Sequence, residues 1–229
     1  MTPLVLIPGF MCDDRLFGPQ IAELKRDREV FPVIPVEPSI KDMATAILDE
    51  INGTFCVAGL SMGGIVALEI LRQAPDRIER LALMDTTPLA DAPENYDIRT
   101  RQISDVWEGR LTDVMREELK PAYLVDGPHK SELLDLCADM AHALGPYVFE
   151  AQAIALRDRD DLTPFLEMAP EHTMLLYGAE DRLCPPDRHI MMHKAIPNSQ
   201  LVEIEGAGHL PTLEKPFETT SALTSWLAN

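Results

Sequence analysis

Three polar residues stand where a folded chain could use them for nucleophilic chemistry. Ser61 lies in Gly59-Leu60-Ser61-Met62-Gly63-Gly64, after the apolar run 54–58 and before the helix-like stretch 65–71. Gly-x-Ser-x-Gly between a strand and a helix makes a sharp turn. The turn strains the serine backbone, demands small neighbours and lifts Oγ above the sheet edge. The N–H of Met62 opens the following helix and points to where a negative oxygen would form. A serine hydroxyl is a poor nucleophile at neutral pH. It needs a base in hydrogen-bond reach, and that base needs a partner to fix its tautomer. His209 follows the last strand-like run in Gly206-Ala207-Gly208-His209, and Asp181 follows the one before it in Gly178-Ala179-Glu180-Asp181. Glu180 and Asp85 are rival acids, Asp85 lying after a neighbouring strand.

The elements that must carry these residues read as an α/β alternation. Segments 4–7, 30–34, 54–58, 81–84, 173–177 and 200–204 are short, apolar and rich in β-branched residues or leucine. Helix-period segments at 16–26, 42–51, 62–72 and 188–195 separate most of them, and a last helix over 215–227 starts at Pro216. Strands alternating with helices predict a doubly wound, mainly parallel six-stranded sheet. Pro32 and Pro35 place the second strand at an edge, because proline donates no ladder hydrogen bond. With right-handed crossovers the strand order becomes 2-1-3-4-5-6. The connection then reverses between the first and third strands, where ligands bind beyond the strand C-termini. Pro8-Gly9-Phe10 and Gly59-Leu60-Ser61 meet at that point.

Between the fourth and fifth strands the alternation stops. Residues 88–170 carry helical segments at 96–107, 111–120, 130–143 and 147–156, too long a stretch for a plain loop. They predict a helical lid over a core of residues 1–87 and 171–229. Trp107, Met115, Tyr123, Met140, Tyr147 and Phe149 are candidates to line a modest, mostly apolar cleft beneath it, or to form the lid's own core.

A net charge of −18 repels phosphate backbones and disfavours a nucleic-acid partner. No apolar run approaches membrane-spanning length, and the first nine residues lack a basic region and a cleavage site. A cytoplasmic protein with no membrane partner is expected. Cys12, Cys56, Cys137 and Cys184 show no CxxC pairing, against a disulfide framework or zinc site. His189 and His193 share a helix face at i and i+4, but the glutamate of His-Glu-x-x-His and a third ligand are missing. They read as a solvated helix face, and neither a metal nor a cofactor is expected.

Gly59–Gly64, Gly178–Pro185, Gly206–Pro216 and Leu6-Ile7-Pro8-Gly9-Phe10 together resemble the α/β-hydrolase superfamily. Many members have His-Gly where this chain has Pro8-Gly9, a departure that leaves the backbone donor untouched. The family's first hairpin is missing from the resemblance, since the chain starts at the strand bearing this turn. The resemblance implies a Ser61–His209–Asp181 triad, with an oxyanion hole from the N–H groups of Phe10 and Met62. The Gly-x-x-Asp turn and the prolines after it favour Asp181 over its rivals. Gly59–Gly64 with Asp85-Thr86-Thr87-Pro88 is similar to small esterases and enol-lactonases, which implies a small-molecule ester or lactone substrate. C–C bond hydrolysis, lyase chemistry, cofactor-free perhydrolysis and low-turnover small-molecule binding remain open on the same scaffold.

Overall fold

The computed structural model describes residues 1–119 and 122–228. The chain begins with β1 (Leu4–Ile7), a 3-10 turn (Asp14–Phe17), α1 (Gly18–Leu24), β2 (Val30–Pro32), α2 (Ile40–Glu50), β3 (Phe55–Leu60), α3 (Met62–Gln73) and β4 (Ile78–Met84). A helical stretch follows: α4 (Asn95–Trp107), α5 (Leu111–Asp113) running into a π-helix (Val114–Leu119), then α6 (Lys130–Arg157). The chain then returns to the sheet through β5 (Thr173–Gly178), α7 (Pro186–Ala195), β6 (Gln200–Ile204), α8 (Pro211–Glu214) and α9 (Pro216–Ala228).

The six strands pair in the order β2-β1-β3-β4-β5-β6, and every pairing is parallel. Central strands β1, β3 and β5 are buried along their whole length. Apolar residues on both sides of the pleat make this possible, because successive side chains face opposite layers. Val5, Ile7, Val57, Leu83 and Leu175 join one core with Met43 and Ile47 of α2 and Leu68 of α3. Leu4, Leu6, Ala58, Met84 and Leu176 join the other with Leu24 of α1 and Leu223 and Trp226 of α9. Pro32 sits at the sheet edge opposite Leu6, as its missing donor requires.

Several boundaries differ from the sequence reading. Strand β2 stops at Pro32, although the Val33 N–H still reaches the Leu6 carbonyl at 2.9 Å. The last helix is two helices, because Lys215 adopts φ −136° and Pro216 restarts the chain. The segments at 130–143 and 147–156 lie in one long run, α6, broken at Gly145 (φ 78°, ψ 178°). The helix at 111–120 is described as far as Leu119, with Lys120 outside the described residues. Among the described residues no helix is long and apolar enough to cross a membrane.

The junction of β3 and α3 is where backbone meets backbone. A Cβ on Gly63 would run into the Ile7 carbonyl, and one on Gly59 would run into Gly63. Glycine at both positions lets α3 start directly against the ends of β1 and β3. Gly18, at the start of α1, has open space around it. Gly63→Ala is therefore expected to lose about 1–3 kcal/mol or more by overpacking. Gly18→Ala should be neutral or gain about 0.4–1 kcal/mol through the unfolded chain. Urea unfolding midpoints of the two variants measure the contrast.

Candidate active site

The turn after β3 holds Ser61 at φ 56°, ψ −116°, a left-handed backbone that costs a non-glycine residue about 1–3 kcal/mol. Its surroundings over-determine it. The Ser61 N–H donates to the Met84 carbonyl at 2.8 Å, and its carbonyl accepts from Gly64 N–H at 2.9 Å and from the Thr86 hydroxyl at 2.7 Å. Met62 is the first residue of α3, so its N–H has no acceptor within the helix.

Asp181 stands in the turn after β5. Its Oδ1 accepts from the N–H groups of Leu183 at 2.8 Å and Cys184 at 3.1 Å. Its Oδ2 lies 2.8 Å from His209 Nδ1, and both residues are almost wholly buried. Burial pushes the Asp181 carboxyl up, but the imidazole and the two N–H donors outweigh it and hold it below its usual value. An ionised carboxylate only accepts, so Nδ1 must carry the ring proton. The lone pair of Nε2 then faces Ser61 Oγ, 2.8 Å away.

The His209 loop is pinned from two directions. Its own N–H donates to the Tyr123 carbonyl at 2.7 Å, and the Tyr123 ring meets the imidazole edge-on at 5.0 Å. Glu214, in α8, accepts from the N–H groups of Gly208 (3.0 Å) and Leu210 (3.1 Å) with one oxygen and from Val125 (2.8 Å) with the other. This buttress was missed in the sequence. The only signal was an acid five residues after the histidine, in a helix one turn long.

Asp85, the rival acid, takes a different role. It is fully buried at φ 44°, and its Oδ1 accepts the Gly178 N–H at 2.8 Å. Burial and the neighbouring Asp181 charge hold its carboxyl well above the usual range. Glu180 lies on the other side of the turn and is exposed.

The reading of a solvated face at His189 and His193 needs correcting. His189 is completely buried, stacks on Tyr177 with centroids 5.1 Å apart, and accepts the Thr86 N–H at 3.2 Å. Helical spacing gave no sign that α7 turns this residue into the sheet. His193 instead meets the Ser199 hydroxyl at 2.8 Å, so the two histidines serve separate contacts. Asp181, Cys184 and His209 also cluster. Both ring nitrogens of His209 are engaged, however, and burial keeps the Cys184 thiol well above its usual pKa, a poor donor set for a metal.

Ser61 and His209 open into a cavity of about 190 Å³ that Phe10, Met62 and Tyr123 also line. Of the six aromatic and methionine candidates, Tyr123 alone among the described residues borders it. Met115, Met140 and Phe149 are fully buried core, whereas Trp107 and Tyr147 are exposed and pack edge-to-face on each other. The cavity is also more polar than its expected lining, because Asp91, Asn95, Arg99 and Arg159 reach it. Periodicity ranks apolar faces and could not anticipate that convergence.

A wholly parallel sheet in this order, with a serine at the strained turn after the third strand, defines an α/β hydrolase. The chain belongs to the Alpha/beta hydrolase family, whose sequence profile matches residues 4–223. It is similar to the pimeloyl-[acyl-carrier protein] methyl ester esterase of Nitrosomonas europaea, 26% identical over 80% of this chain and 75% of that one. A putative carbamate hydrolase of Pseudomonas syringae pv. syringae is 24% identical over 98% of this chain and 93% of that one. Among solved structures, a thermophilic esterase from Thermogutta terrifontis superposes with a TM-score of 0.89 at 29% identity, covering 100% of this chain and 90% of that one. An enol-lactonase from Burkholderia xenovorans LB400 shares the fold, with a TM-score of 0.86 at 21% identity over 100% and 92%.

The buried His189 gives the molecule an acid-sensitive point. Burial lowers its pKa from about 6.5 to about 4. Between these values the unfolded chain binds the extra proton, so stability falls as pH falls through this window. Asp85 has the opposite sign: its raised carboxyl stabilises at low pH and loses that contribution as pH rises. In His189→Gln the amide oxygen can still accept the Thr86 N–H, and the Asp85 contribution is common to both proteins. Urea unfolding at pH 7 and pH 4.5 should show wild type losing about 2 kcal/mol more than His189→Gln.

Proposed function

We propose that this hydrolase cleaves small carboxylic esters or lactones through an acyl-serine intermediate, with Ser61, His209 and Asp181 as its triad. The observation that carries the reading is the buried relay of two 2.8 Å hydrogen bonds, from Ser61 Oγ to His209 Nε2 and from His209 Nδ1 to Asp181 Oδ2. Relatives named as a methyl ester esterase, a carbamate hydrolase and an esterase support it, since each name implies attack on a carbonyl carbon bearing a heteroatom leaving group.

In the first half of the reaction Ser61 Oγ bonds to the substrate carbonyl carbon while its proton passes to Nε2. The carbonyl oxygen becomes an oxyanion, stabilised by the N–H groups of Phe10 and Met62. His209, now imidazolium and held by Asp181, gives its proton to the leaving alkoxide as the C–O bond breaks. In the second half water attacks the acyl-serine, His209 takes its proton, and the carboxylic acid leaves as Ser61 recovers its hydrogen. Each oxyanion donor contributes roughly 100- to 1,000-fold in rate. Residues 88–170 act as a lid over a core formed by 1–87 and 171–229, closing the cavity and setting substrate size.

Ser61→Ala is expected to fold normally and to lose at least about a thousandfold in kcat/KM on p-nitrophenyl acetate. Retained turnover would remove Ser61 from the mechanism. Asp181→Asn should fall by about ten-thousandfold, because the amide favours the wrong imidazole tautomer. Asp85→Asn, whose amide oxygen can still accept the Gly178 N–H, should stay within about tenfold. The reverse ranking would transfer the acid's role to Asp85.

A further inference from the structure

The charged side chains bordering the cavity are Asp91, Arg99 and Arg159, all from the segment between β4 and β5. Asp91 is saturated. Its Oδ1 accepts from Asn95 Nδ2 at 2.9 Å and lies 3.2 Å from Arg159 Nη2, while Oδ2 accepts from Arg99 Nε at 2.6 Å. Arg159 is fixed further by donating to the carbonyls of Leu89 at 3.0 Å and Leu156 at 2.7 Å. Arg99 is fixed only through Nε. Among the described residues no acceptor meets its Nη1 or Nη2.

Two guanidinium groups therefore share one carboxylate, which leaves a surplus of one positive charge at the nucleophile's cavity. This happens in a chain whose net charge is −18. The Arg99 side chain is 19% exposed and that of Arg159 8%. Half-buried cations that share one counter-ion are better balanced when an anion completes them. The free fork of Arg99 presents parallel N–H donors, the geometry that a carboxylate accepts in bidentate fashion. One surplus charge and a cavity of about 190 Å³ suit a monoanionic carboxylate better than a dianionic phosphate.

We propose that Arg99, held in place by Asp91 and Arg159, binds a carboxylate carried by the substrate. The preferred esters or lactones are then short molecules with a free carboxylate a few bonds from the scissile carbonyl. This rests on the ester-hydrolase reading above and narrows its substrate class.

The test compares monomethyl glutarate with its uncharged isostere, methyl 4-carbamoylbutanoate. Wild type should prefer the acid by about 10- to 100-fold in kcat/KM, the worth of a charge-assisted hydrogen bond. In Arg99→Gln the ratio should fall to about one. Because the readout is a ratio, a general loss of activity does not mimic it. Equal use of both esters by wild type, or an unchanged ratio in the variant, would overturn the proposal. Should Arg99→Gln not fold, wild type alone decides: glutarate should inhibit p-nitrophenyl acetate hydrolysis at least about tenfold more strongly than glutaramide. Inorganic phosphate competing as well as glutarate would refute the carboxylate assignment. If no ester is turned over at all, the hydrolase reading fails by itself. Calorimetric binding of glutarate to Ser61→Ala, lost when Arg99→Gln is added, would still support the anion subsite, and absent binding would sink it.

Discussion

The strained backbone of Ser61 is the constraint on which the site depends. A residue at φ 56° persists only where its neighbours leave it no alternative. Here the neighbours are main-chain atoms. Gly63 lies against the Ile7 carbonyl, Gly59 lies against Gly63, and the Ser61 N–H is tied to Met84 on the next strand. The turn is thus wedged between the ends of β1, β3 and β4. The same contact that raises Oγ above the sheet brings Phe10 and Met62 to the border of one cavity. Strain and position share one cause, the close approach of α3 to the strand ends.

Two buried carboxyl groups, Asp181 and Asp85, are shifted in opposite directions by their surroundings. Asp181 receives two N–H donors and the Nδ1–H of His209, enough to keep it charged in spite of burial. Asp85 receives one N–H, and burial with the repulsion of Asp181 shifts its carboxyl upward. The carboxylate held at Nδ1 is that of Asp181, and this contact leaves Nε2 to face Ser61.

The parts of this arrangement differ in how openly the sequence carried them. Strand order followed from Pro32 and Pro35, which move the second strand to an edge because proline donates no ladder hydrogen bond, together with right-handed crossovers. Ser61, Asp181 and His209 could be named because each sits in a glycine-bearing turn directly after an apolar strand, and a parallel sheet delivers all such turns to one edge. The buttress at Glu214, the raised carboxyl of Asp85 and the burial of His189 had no comparable signal. Each depends on which way a side chain points from a helix or turn, and on what another segment packs against it. The same limit left two places open for Trp107, Met140 and Phe149: none borders the cavity, Met140 and Phe149 are buried core, and Trp107 is exposed.

The division between core and helical segment also divides the tasks. Ser61, Asp181 and His209 come from the ends of β3, β5 and β6, whose positions are set by sheet hydrogen bonds. The charged lining comes from 91–159, where no ladder fixes the register. The two are nevertheless joined at the base. Tyr123 accepts the His209 N–H, and Glu214 holds Val125 with the same carboxylate that holds Gly208 and Leu210. A shift of residues 123–125 would break hydrogen bonds to the histidine loop, so the cavity wall cannot move far without disturbing His209. Through that shared carboxylate, the placement of the cavity wall and the aim of Nε2 are one structural variable.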